Sequence, residues 1–167
     1  MSKEETTKNT FIKEAIPYLI IIVVVVIIRT YFVTPVMVDG TSMTPTLADN
    51  NVLILNKRAQ IKRYDIVVIK TDEGETLIKR VMALPGETIE CIDEKILVDG
   101  NIIEDKTEIL TKNFEQIKMG DNQYFVMGDN RLGSEDSRGS YGPINSHEIK
   151  GVTNFRLFPF TKFGKID

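Results

Sequence analysis

Histidine, cysteine and tryptophan are nearly missing from this chain: its 167 residues include one His, one Cys and no Trp. A lone cysteine, Cys91, excludes an internal disulfide, and without a Cys/His cluster nothing stands ready to hold a zinc ion. No metal and no organic cofactor is expected. Charge of one sign is not concentrated either. The 21 Lys+Arg and 24 Asp+Glu leave a net charge of -3 with no long block of either sign, so the electrostatic footprint of a nucleic-acid-binding protein is missing. The only histidine, His147, lies in the polar stretch SHEIK and reads as a surface residue, while Cys91 alternates within ETIECI as a small apolar side chain. A cysteine hydrolase built on that pair is therefore disfavoured. With 42% hydrophobic and 27% charged residues, the chain supports one domain with a core and is too short for two large ones.

What is present is strongly local. From Ile16 the sequence runs IPYLIIIVVVVII to Ile28, crosses Arg29 and Thr30, and continues to Val33. As a helix at about 1.5 Å per residue this run is roughly 27 Å long, close to the thickness of a bilayer core. Strands seldom exceed about ten residues, so the run predicts a transmembrane helix rather than a buried strand. Pro17 would fall in the first helical turn, and Arg29 near the far end can snorkel to headgroups. The exit, YFVTPVMVDG, has no small-x-small cleavage pattern, which favours a retained anchor over a removed signal. Lys3, Lys8 and Lys13 precede the span, and only Arg29 follows at its edge, so the positive-inside rule puts the N-terminus in the cytoplasm. The expected organisation is a cytoplasmic flank over 1–15, a transmembrane anchor over 16–33 and an extracytoplasmic domain over 34–167 at the outer face of the cytoplasmic membrane.

Beyond the anchor the pattern turns to short β-rich runs: 36–38, 51–56, 65–70, 76–83, 87–92, 95–98, 123–127 and 152–158. Asp99-Gly100 sits as a tight hairpin turn would, and consecutive hairpins imply antiparallel sheets. The stretch 104–122 mixes charges with isolated apolar residues and reads as an irregular excursion. The fold class is mainly β, antiparallel, preceded by one helix.

In VDGTSMTPTL, Ser42 lies between a strand end and Pro45 with Gly40 before it, a turn whose backbone can approach a substrate closely. A plain loop has the same composition. A nucleophilic serine needs a base, and the candidate is Lys79. Alternation in TLIKRVMA puts Leu77, Lys79, Val81 and Ala83 on one strand face, with Thr76, Ile78, Arg80 and Met82 on the other. Burial among apolar neighbours disfavours the ammonium, and a neutral amine can accept a serine proton. An edge-strand lysine reaching to water is the alternative on this strand alone.

Four stretches in order, GTSMTPTL (40–47), RYDIVVIK (63–70), IKRVMALPGETIE (78–90) and FVMGDNRLGSEDSRGSYGPI (125–144), closely resemble the motifs of bacterial type I signal peptidases, and the single N-terminal anchor resembles the Gram-positive kind. The resemblance implies a Ser-Lys peptidase β-fold shared with LexA-like repressors. It also implies a membrane-bound serine endopeptidase that removes signal peptides from exported preproteins, with small residues one and three positions before the cut and with the lipid bilayer as its other partner. By the same resemblance Ser42 is the nucleophile, its backbone N–H contributes to the oxyanion hole, Lys79 is the general base, and Met43 packs at the site. Ser134 would hydrogen-bond the Lys79 amine, and Asp136 would pair with Arg138 or Arg80. Gly40 stands where some members carry a serine that donates to the oxyanion, and Gly133 where many carry asparagine. Residues 87–122 leave room for at most a small cap. The alternatives are a catalytically silent anchored homologue that binds exported chains, and a self-cleaving peptidase like the LexA-like relatives, which the apolar span disfavours.

Overall fold

The N-terminal flank and the apolar run form one continuous helix, α1 (Lys3–Tyr31), in a computed structural model that describes residues 3–107 and 109–166. The flank KEETTKNTFIKEA has helix formers such as Lys, Glu and Ala at more than half of its positions, so the helix extends through it. The helix therefore starts well before Ile16, and Pro17 lies inside it rather than in its first turn. Over Glu14–Tyr31 it is long and apolar enough to cross a membrane, and the isoleucines and valines from Ile16 to Ile27 are exposed. The apolar run stops being helical at Tyr31, and Val33 already belongs to the first strand. The helix end is tied to the rest of the chain: Thr34 Oγ1 donates to Arg29 O (3.2 Å), Lys57 Nζ to Thr30 O (2.9 Å), and Lys57 N–H to Phe32 O (3.0 Å). These donors occupy carbonyls that a helix C-terminus leaves open, and the ammonium also suits the negative end of the dipole.

The strands that follow are β1 (Val33–Met37), β2 (Val52–Asn56), β3 (Ile66–Lys70) and β4 (Thr76–Ala83). Next come β5 (Thr88–Ile92), β6 (Lys95–Val98), β7 (Asn101–Ile102) and β8 (Phe114–Lys118), and last β9 (Gln123–Met127), β10 (Ile144–Asn145), β11 (Ile149–Phe158) and β12 (Gly164–Lys165). All their pairings are antiparallel. The main sheet runs β1-β2-β11-β3-β4-β9-β10 with β12 on β11, and a smaller sheet runs β7-β6-β5-β8. The smaller sheet is the cap. It seals against the main sheet through a shared core of Met82, Ile89, Cys91, Ile96, Phe125 and Met127.

Two sequence expectations change here. The excursion 104–122 contains a strand, β8. Its apolar residues Phe114 and Ile117 are three apart, because the ladder to β5 shifts register between Ile89, which faces Ile117, and Cys91, which faces Phe114. A bulge of this kind hides a strand from any period-two pattern. The second change concerns β4. Leu77 and Val81 share the core on the Lys79 face, but a register shift against β9 between Val81 and Ala83 moves Ala83 into the cap core beside Met82.

The main sheet also depends on a glycine in β11. At Gly151, where the ladder to β3 shifts register, an added Cβ would lie 2.4 Å from Asn56 O of β2. Backbone cannot yield there as a flexible side chain would. Gly151→Ala is expected to destabilise the protein by about 1–3 kcal/mol, the cost of overpacking. A lowered denaturant midpoint at unchanged slope, measured on the full chain in detergent, checks it.

Candidate active site

β1 leads the chain through Val38 into a turn that begins at Gly40, whose φ of +90° suits glycine. The turn is fixed from within and from below. Gly40 N–H donates to Asp49 Oδ1 (2.9 Å), Thr44 N–H to Thr41 O (3.1 Å) and Leu47 N–H to Met43 O (2.8 Å). Met43 and Leu47 are buried with Val38, Leu53 and Ile78, so apolar burial on both sides of Pro45 pins the segment. Ser42 is left half-buried between them. The Gly40 amide, committed to Asp49, is not free to act as a second oxyanion donor. The Ser42 N–H makes no hydrogen bond among the described residues.

Lys79 lies in β4 at 3% exposure, paired across the ladder with Val67 and followed on the same face by Val81. On its other side β4 meets β9, with Val81 opposite Val126 and Arg80 opposite Met127. Continued one step past the end of β9, the same register sets Gly128 opposite Lys79. Residues opposed in an antiparallel pair point to the same face with Cβ positions about 5 Å apart. A Cβ on Gly128 would sit 2.1 Å from Ser134 Oγ and 2.4 Å from Ser42 O. The absent side chain at 128 is thus the point at which Ser42 and Ser134 are drawn together, beside the position that the continued register gives Lys79. Asn130 holds the contact, its N–H donating to Ser42 O (3.0 Å) and its Nδ2 to Thr41 O (3.3 Å).

The loop that follows β9 is held by ion pairs. Asp136 accepts a fork from Arg138 (Nε 2.8 Å, Nη2 2.7 Å) and the Gly128 N–H (2.8 Å). Burial works to raise the Asp136 pKa, but these donors outweigh it and hold the carboxyl below the usual range. Arg80, on the opposite face of β4, does not reach Asp136. It forks onto Asp129 (2.9 and 2.7 Å), and both side chains are almost fully buried. The expected choice of partner for Asp136 thus resolves to Arg138, because Arg80 and Lys79 point to opposite sides of one strand.

The Lys79 amine has no hydrogen-bond or ion-pair partner among the described residues. Burial pulls its pKa below the ordinary value; Asp136 acts against this, Arg138 with it and Glu135 against it. Desolvation prevails because the carboxylate that acts on it most, Asp136, already answers to Arg138. Ser134 was expected to hydrogen-bond this amine. Here its Oγ donates to Glu135 O at a long 3.4 Å, while facing Gly128.

The residues that organise this site beyond those singled out in the sequence are Gly128, Asp129, Asn130 and Arg131. All lie inside the stretch FVMGDNRLGSEDSR, and their signal was the density of Gly, Asp, Asn and Arg directly after a strand. Gly133 lies against Asn130, where an added Cβ would come 2.8 Å from Asn130 Nδ2. Cys91 faces the cap core with Sγ 3.6 Å from Thr111 O, and burial pushes its thiol up. His147 is exposed, 3.6 Å from Asp72. Neither belongs to the serine turn. No group of residues that could hold a metal ion occurs among the described residues.

Comparison with known proteins gives the chain a family. A family model described as signal peptidase, peptidase S26, matches residues 11–158. Signal peptidase I of Bacillus licheniformis is 34% identical, with all of both chains covered. Signal peptidase I S of Bacillus subtilis strain 168 is 32% identical over 98% of each chain. A crystal structure of a signal peptidase I from Enterococcus faecalis V583 superposes with a TM-score of 0.50 at 28% identity, covering 56% of this chain and 97% of that one. A match over most of the chain, with relatives alike from end to end, means that this chain belongs to the signal peptidase family, peptidase S26.

Proposed function

We propose that the chain cleaves signal peptides from exported preproteins with Ser42 as nucleophile and Lys79 as general base. As a member of its family the protein is a hydrolase that processes signal peptides. What supports the dyad is a lysine buried beside the Asp136-Arg138 loop with no partner for its amine, together with the gap at Gly128 where Ser42 and Ser134 meet. A catalytically silent homologue is not favoured, since the relatives reported above are named signal peptidases and the matched residues Ser42, Lys79, Ser134, Asp136 and Arg138 are all present.

The neutral amine of Lys79 takes the Ser42 hydroxyl proton as Oγ attacks the scissile carbonyl. The developing oxyanion is met by the unbonded Ser42 N–H, and one such donor can be worth about 3 kcal/mol. Lys79 returns the proton to the leaving amine, which is the new N-terminus of the mature protein. A water activated by the same amine then hydrolyses the ester. One lysine serves both half-reactions, as histidine does in a catalytic triad. Asp136 and Arg138 neutralise each other beside the lysine, which keeps the loop charge from trapping it as an ammonium. Met43 fixes the serine turn from below. Small side chains fit one and three residues before the cut.

α1 acts as a single-pass anchor, with the N-terminus in the cytoplasm and residues 34–167 outside. It keeps the site at the surface where the apolar segment of a signal peptide lies, and this raises their effective concentration. Added protease on cells stripped of their wall should cut beyond Val33 and spare Lys3–Lys13. Protection of the whole chain would reverse this orientation.

Ser42→Ala and Lys79→Ala should each abolish cleavage of a preprotein in detergent, with the double variant no worse, because residues acting as one unit are not additive. Gly128→Ala should lose about a hundredfold or more, since a misplacement of about 1 Å at a reacting centre costs that much. Turnover surviving in Ser42→Ala argues against the serine.

The pH dependence follows from the lysine. Because burial lowers its pKa, kcat/KM should rise with pH along a limb centred below 10.5, as the amine loses its proton. Stability should rise over the window from that lowered value up to 10.5, where the unfolded chain still holds a proton that the folded chain has released. An acidic residue at Val81, on the Lys79 face, should move the limb upward. A limb that stays in place in the folded variant counts against Lys79 as the titrating base.

A further inference from the structure

The cap is joined to the catalytic loop by one buried charge. Arg131, in the loop after β9, is almost wholly buried, and its Nε has no hydrogen-bond partner. Its Nη1 reaches Gly128 O only at 3.4 Å. Its ionic partner is Asp105, from the cap segment between β7 and β8, which takes the Nη2 donor. Asp105 is held in turn by its own segment. Thr107 N–H and Oγ1 donate to Oδ1 (3.2 and 3.3 Å), and Thr111 Oγ1 donates to Oδ2 (3.3 Å). A buried guanidinium that loses its carboxylate is left as an uncompensated charge, so the loop must move or admit water.

The loop cannot move without disturbing the site. Arg138 Nη1 donates to Arg131 O (2.8 Å), and Arg138 grips Asp136, which accepts the Gly128 N–H. Gly128 therefore has its N–H and its carbonyl tied into one ring of Asp136, Arg138 and Arg131, and that ring is closed electrostatically from the cap. A groove of about 400 Å³ separates the cap wall at Lys112 and Phe114 from Ser134 and Arg138, and Arg131 also lines it.

We infer that Asp105 is a positioning residue for the cleavage reaction: a carboxylate on the cap that, through Arg131, sets Gly128 and the loop around Lys79. This gives the cap a task beyond packing. The inference rests on the Ser42-Lys79 reading.

The test is steady-state cleavage of a signal-peptide-derived fluorogenic peptide by the full chain in detergent. Asp105→Asn keeps the shape of the side chain and removes its charge. It should lower kcat by about ten- to a hundredfold, as loss of alignment does, with KM little changed. The rising limb of kcat/KM should move to higher pH, because a loosened loop lets water reach Lys79; Asp136, Arg138 and Glu135 are the charges that face that amine. Arg131→Gln should behave alike, and the double variant should be no worse than the poorer single one. Glu104→Gln, which removes only the exposed pairing with Lys106, is the control and should leave kcat unchanged. Should Asp105→Asn fail to fold, Thr111→Val loosens the same carboxylate without removing its charge and should lower kcat a few-fold on the same argument. An unchanged kcat and pH limb in a folded variant, a rise in KM alone, or additive losses in the double variant would overturn the role of Asp105. Turnover surviving in Ser42→Ala would instead count against the dyad, so the two failures are distinguishable.

Discussion

A side chain that is not there organises this structure. Gly128 follows the end of β9 and lies where a single methyl group would collide with both Ser42 O and Ser134 Oγ. Two distant parts of the chain meet at that gap: the turn after β1 and the loop after β9. Ser42 and Gly128 lie beyond strands that are far apart in the order of the main sheet, so the contact requires the sheet to curl until these regions touch. The Asn130 N–H to Ser42 O hydrogen bond closes it. Twisted antiparallel sheets curl readily, and what the sequence must supply is a residue small enough to let the parts approach.

Charge is distributed around this contact with a consistent logic. Arg80 with Asp129, Arg138 with Asp136 and Arg131 with Asp105 are ion pairs in which at least one partner is well buried. Such pairs are costly to bury and costlier to break, so they act less as sources of stability than as constraints on where the loop can lie. Lys79 is left outside this pairing. A lysine that shared a carboxylate with no competing arginine would be held as an ammonium, whereas one surrounded by satisfied pairs responds to desolvation instead. The same arrangement that stiffens the loop favours a neutral amine.

The long helix and the β-domain are coupled more tightly than a flexible tether would allow. Lys57 and Thr34 close the carbonyl end of α1, and β1 begins two residues after the helix ends. β1 then runs without interruption toward the serine turn. The distance from the helix end to Ser42 is therefore set by five strand residues and a pinned turn, and a short connection of this kind restricts how the domain can tilt relative to the helix.

Local chemistry made much of this legible in the sequence. The apolar run dictates a helix by its length, the β-rich runs dictate antiparallel strands by their spacing, and alternation in TLIKRVMA put Lys79 and Val81 on one face without any coordinates. Ser42 and Lys79 could be singled out because the motifs around them, taken in order, resemble those of one family; a serine in a turn and a lysine on a strand are each common locally. What the sequence left hidden involved register or long-range pairing. The bulges that hid β8 and turned Ala83 into the cap core arise from how two strands align, which neither strand encodes alone. The choice of Arg138 for Asp136 and of Asp129 for Arg80 was decided by the two faces of β4, and the bond from Asp105 to Arg131 by the docking of the cap. Periodicity and composition act over a few residues and are written in the chain itself. Ion pairs between residues 26 and 49 positions apart exist only once packing has fixed which side chains share a space too dry to leave them unpaired.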